Sequence, residues 1–149
     1  KIKLKNYTIY RIPLVLSNPL EETFMYHGNR EDDMDVITKE DCAYAFVRGI
    51  NYATVLNKQT FNLKTDTINY GKLLDKLLLI NSSKYILSRI FLEKDYYSPI
   101  CSDSDELDNI IHYKNDSLNE YFKRLKSKNK GHKFAKFLAK KMVGKNKWR

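Results

Sequence analysis

The pattern of hydrophobic and polar positions along this 149-residue chain changes its period near the middle. In the first part, apolar residues alternate with polar ones or gather in short runs. Ile2 and Leu4 alternate with lysines, and Tyr7, Ile9 and the run from Ile12 to Leu16 follow. β-branched and aromatic residues suit a pleated surface, so residues 2–16 read as strand, with Pro13 marking an edge or an end. Ser17-Asn18-Pro19 is a turn, and residues 20–26 fit a strand or a short helix. His27-Gly28-Asn29 leads into Arg30-Glu31-Asp32-Asp33-Met34-Asp35, an acidic run expected as an exposed loop. Thr38 and Asp41 have capping-box spacing, which predicts a short helix from Lys39 into Phe46, although Val36-Ile37 and residues 43–47 also suit strands. Residues 51–56 and 60–64 read as a β-hairpin turning at Asn57-Lys58-Gln59.

From Thr67 the spacing becomes helical. Tyr70, Leu73, Leu74, Leu77, Leu78 and Ile80 predict a helix over 68–80. Ser82 or Ser83 starts another over 83–94, through Ile86, Ile90 and Phe91, and Ser98-Pro99 ends it. The clearest pattern covers 104–126, with Ser102 or Ser104 as its cap. Leu107, Ile110, Ile111, Leu118, Tyr121, Phe122 and Leu125 form one stripe, with acids at its start and bases at its end, as the helix dipole favours. After a break at 127–131, residues 132–143 resume as an amphipathic helix. Phe134, Phe137, Leu138 and Met142 share one side, and Lys133, Lys136 and Lys140 share the other. Strands followed by helices, without alternation, predict an α+β fold in a single domain over 1–149.

Composition narrows the class. The chain is 42% hydrophobic and 13% aromatic, too apolar for a disordered segment. Cys42 and Cys101 lie far apart in no CxxC pattern, which favours free thiols in a reducing, intracellular (cytoplasmic) setting over a disulfide. No apolar run approaches the ~20 residues that span a bilayer, and no signal peptide is visible. The chain begins at Lys1 and not at Met, as a piece of a longer protein would.

Charge changes the picture most. Residues 123–149 carry twelve of the 27 Lys and Arg residues and no Asp or Glu. The formal net charge of +9 is thus +12 in this segment and −3 in the preceding 122 residues. A near-neutral body with a cationic end is expected to bind a polyanion, first of all nucleic acid, DNA or RNA. The candidate contact residues are Lys123, Arg124, Lys126, Lys128, Lys130, Lys133, Lys136, Lys140 and Lys141. Trp148 is a stacking group for unpaired bases. Lys outnumbers Arg, so phosphate contact is expected with little base reading. A solvated, solubilising terminus is the ordinary alternative. The basic face of 132–143 also suits an acidic partner or an anionic membrane surface.

Candidate chemistry is thinner. A metal-dependent nuclease would need clustered carboxylates. Asp108, His112 and Asp116 recur at i, i+4 and i+8, on one face of the expected helix. Glu31, Asp32, Asp33 and Asp35 share one loop near His27. Both groups are more ordinary as hydrated surface. Acids beside Cys42 and Cys101 argue against activated thiols. No GxSxG, HExxH, P-loop or dinucleotide glycine turn occurs, so no cofactor and no catalytic residue is assigned. The nearly all-apolar segment 73–80 belongs in a core, or in a homodimer contact if one face is spare.

Overall fold

Thr38 ends one strand and starts one helix, and the elements are arranged around that junction. The computed structural model describes residues 5–17, 29–81 and 100–128. The elements are β1 (Thr8–Arg11), β2 (Leu14–Leu16), β3 (Asp33–Thr38), α1 (Lys39–Asn51), β4 (Gln59–Asn62), β5 (Asp66–Asn69), α2 (Tyr70–Asn81), α3 (Glu106–Ile111) and α4 (Leu118–Lys128). The Thr38 hydroxyl accepts the amide of Asp41 at 3.3 Å, the N-cap bond that the sequence predicts.

The fold is α+β. Two small sheets hold its strands. In one, β1 and β4 pair in parallel, Thr8 opposite Gln59 through Arg11 opposite Asn62. In the other, β3 lies between parallel β2 and antiparallel β5. Ile12 and Pro13 separate β1 from β2, so the expected strand over 2–16 is split between sheets.

Three expectations are corrected. The hairpin over 51–64 does not form. Residues 52–58 are turns after α1, and β4 finds its partner in β1, about fifty residues earlier. The acidic run is not wholly a loop, because Asp33–Asp35 open β3, where Asp35 is buried. The helix over 104–126 is two helices, α3 and α4. His112 ends α3 in the left-handed region at φ 49°, a position that His tolerates better than a β-branched residue. Ser117 restarts the chain as α4: its hydroxyl accepts the Glu120 amide at 3.2 Å and lies 3.2 Å from the Glu120 carboxylate.

Two clusters form the core. Ile37, Ala45, Leu56, Phe61, Leu63, Leu107, Ile111 and Tyr113 pack together, with Tyr10, Val15, Cys42 and Ile110 against them. Leu16, Val36 and Leu73 pack on Leu118, Tyr121, Phe122 and Leu125 of α4. The apolar segment 73–80 therefore spends Leu73 and Leu74 on the core and leaves Leu79 exposed. The expected elements over 20–26, 83–94 and 132–143 lie outside the described residues.

Candidate functional site

Buried carboxylates on or beside α1 tie the body together. Asp41, in the first turn of α1, is wholly buried. Its Oδ1 accepts the amides of Asn115 and Asp116, both at 2.9 Å, and its Oδ2 accepts the Thr65 hydroxyl at 2.6 Å. Thr65 Oγ1 in turn accepts the amide of Thr38 at 3.0 Å. Burial pushes the Asp41 carboxyl above its ordinary value, against the opposing pull of these hydrogen bonds. Asp35 does similar work from β3. Its Oδ1 accepts the Thr67 hydroxyl at 2.6 Å and lies 3.7 Å from Lys64 Nζ, and its Oδ2 accepts the Cys101 amide at 2.8 Å. Each acid satisfies donors from two distant segments, so the geometry is that of a structural anchor.

The predicted cations divide into two kinds. Lys123, Lys126 and Lys128 are exposed on α4. Arg124 is not free: it grips Asp116 with two bonds, at 2.8 and 2.5 Å, and its Nη2 lies 3.1 Å from Glu40 Oε2. The Arg124 hydrogen bond holds Asp116 below the usual carboxylate range, and the same bond raises the guanidinium. Arg124 is thus paired with two acids of the body. Lys130, Lys133, Lys136, Lys140, Lys141 and Trp148 lie outside the described residues.

A shallow cleft of about 20 Å³ lies between the start of α1 and α4. Lys39, Glu40, Tyr121, Arg124 and Lys128 line it over Leu16 and Leu125. That volume holds about one water molecule, too little for a substrate.

The acid groups do not assemble as their spacing suggested. Because α3 stops at Ile111, Asp108, His112 and Asp116 share no helix face. Asp108 Oδ1 instead accepts the Lys114 amide at 2.9 Å, and Asp116 faces Arg124. Among the described residues, no three His, Cys, Asp or Glu side chains are placed to hold a metal ion. Cys42 and Cys101 are free thiols, and both are pushed up. Burial is the first cause at each, and at Cys101 Asp35 and Asp103 add to it. Neither is an activated nucleophile. Ser104 does not cap α3 as expected; it is buried, and among the described residues its hydroxyl has no hydrogen-bond partner. Among the described residues no helix is long and apolar enough to cross a membrane.

Sequence reasoning missed the anchors. Asp41 was legible as a cap residue, but not as the acceptor for a loop 74 residues away. The Ser117-x-x-Glu120 signal for the start of α4 was present and unread.

No protein-family model matches the chain, and no curated protein matches it. Among solved structures it resembles the crystal structure of a putative epimerase from Burkholderia cenocepacia J2315. The TM-score is 0.54 and the identity 16%, over 80% of this chain and 46% of that one. The likeness is one of fold, and the chain spans less than half the length of that protein.

Proposed function

We propose that the chain combines a folded body belonging to an epimerase-like protein with a basic end that contacts nucleic acid. One observation carries the first part, the superposition of four-fifths of the chain on the Burkholderia protein. It is an argument from fold, and folds host many chemistries. The activity is the inversion of one stereocentre in a small molecule that bears several. The described cleft is too small to be its site, so the substrate would lie elsewhere. Proton NMR of the protein with a panel of such compounds tests the reading. A second diastereomer that grows with time and disappears after heat inactivation supports it, and a panel left unchanged contradicts it.

The second part is favoured by the segregation of charge. Twelve cations and no acid occupy residues 123–149, and Lys123, Lys126 and Lys128 are exposed where α4 carries them. Arg124 is paired with Asp116 and Glu40, so the reading relies on the lysines. The remaining lysines act as point charges on phosphates, with little sequence preference. Retention on DNA against retention on anionic vesicles separates this reading from membrane contact. Binding to vesicles with none to DNA would contradict it.

A further inference from the structure

Helices α2 and α4 pack through one apolar cluster, and their lysines fall beside it. On α2, Leu73, Leu77 and Ile80 belong to the cluster, while Lys72 and Lys76 stand one turn apart and exposed. On α4, Phe122 and Leu125 belong to it, while Lys123 and Lys126 stand three residues apart and exposed. The two rows meet at one ring. Lys76 Nζ lies 4.9 Å from the centre of Phe122, a cation–π contact, and Lys126 follows Phe122 by one turn on the same edge of α4. Lys72, Lys76, Lys123 and Lys126 therefore border one flank of the helix pair.

Like charges one turn apart on a helix repel. Each helix has an acid that could offset them, and each acid is engaged elsewhere. Asp75 of α2 pairs with Arg30 at 2.6 Å. Glu120 of α4 takes the Ser117 hydroxyl at 3.2 Å, at the start of the helix. Among the described residues Lys72, Lys76, Lys123 and Lys126 have no ion pair, whereas Arg124 of the same helix has two. Four lysines left uncompensated along one flank complement a partner with closely spaced negative charges.

We propose that this flank is part of the polyanion contact, so that nucleic-acid phosphates lie against Lys72 and Lys76 of α2 as well as Lys123 and Lys126 of α4. The contact then runs from the basic end onto the folded body, and α2 enters it from outside the segment 123–149. This rests on the nucleic-acid reading of that end.

The test uses the 149-residue chain, labelled duplex DNA and two charge-matched variants. Lys72→Gln/Lys76→Gln removes two charges from the flank. Lys5→Gln/Lys58→Gln removes two from exposed lysines just before β1 and β4. The flank variant should flatten the slope of log affinity against log salt by about 1.4–1.8, as the loss of two phosphate contacts does, and the control should keep the native slope. Acetic anhydride should modify Lys72 and Lys76 in the unbound chain, and DNA should protect both. That footprint is read on the native chain, so it holds whatever the substitutions do to folding. Equal slopes for the native chain and the flank variant would overturn the proposal and leave the nucleic-acid reading standing. Equal flattening by both variants would overturn it as well, because net charge alone would then act. Resistance of Lys72 and Lys76 to acetylation in the unbound chain would mean that the chain covers them itself, which also overturns it. A native chain that binds no DNA would overturn the proposal and the reading together.

Discussion

Asp41 Oδ1 accepts the backbone amide of Asn115 at 2.9 Å, across 74 residues of chain. The same oxygen takes the Asp116 amide, and the neighbouring oxygen takes the Thr65 hydroxyl. One carboxylate in the first turn of α1 therefore fixes the loop that separates α3 from α4.

Asp41→Ala should cost about 2–4 kcal/mol, because it strands two buried amides and a hydroxyl at once. Asp41→Asn should cost clearly less, since its carbonyl oxygen can keep the two amides. Urea unfolding of both variants checks the order. Equal losses would mean that charge, not acceptor geometry, is what matters there.

The Tyr113 hydroxyl donates to the carbonyl of Lys64 at 2.9 Å and accepts from its amide at 3.0 Å. Tyr113→Phe keeps the ring in the core and leaves both backbone groups unpaired, at a cost of about 1–3 kcal/mol. Burial pushes the phenol up to about 12. The unfolded chain ionises first, so this group's stabilisation is present below about pH 10 and is lost as pH rises toward 12. The stability gap between the native chain and Tyr113→Phe should narrow over that interval. A gap constant to pH 12 would contradict the assignment.

Gly49 is required by contact, not by backbone angle. A Cβ there would overlap the Tyr10 hydroxyl oxygen. Gly49→Ala should be destabilising by about 1–2 kcal/mol despite the better helix propensity of Ala. In a Tyr10→Phe background the penalty should shrink. A double-mutant cycle measures the coupling, and additivity would remove the explanation.

Much of the local structure was legible in the sequence. The Thr38 cap and the helical spacing from Tyr70 both specify elements through nearby residues, and α1 and α2 follow them. What failed depended on distant partners. The turn signals at Asn57-Lys58 were real, and Lys58 does adopt φ 62°, but they deliver the chain to a parallel partner, not a hairpin. The stripe from Leu107 to Leu125 stayed in helical register across a break, because Ile111 and Leu118 are seven residues apart. Charge in Asp33 and Asp35 hid β3, which is buried continuously from Asp35 to Thr38. Arg124 could be counted as a cation, but its partners Asp116 and Glu40 could not be read from spacing.

Arg124 and Asp41 bear on acid stability with opposite signs. Asp116 is held low by Arg124, so its contribution is complete above about pH 4 and is lost as pH falls through the folded value. Asp41 is raised by burial, so its contribution is present below about pH 4 and declines as pH rises through the raised value. Arg124→Gln removes the first and leaves the second. The stability gap between native and Arg124→Gln chains should be widest near neutral pH and close below about pH 4. A gap independent of pH would contradict the ion pair.

The division between a body that pairs its own arginine and an end rich in lysine is tested most directly by fluorescence anisotropy of labelled DNA across a salt series. The native chain should lose affinity linearly in log salt, by roughly 0.7–0.9 log units for each phosphate engaged. Lys133→Glu/Lys136→Glu/Lys140→Glu should abolish binding, while Arg124→Gln should leave it nearly unchanged. A flat salt response, or binding that survives the triple substitution, would contradict the account.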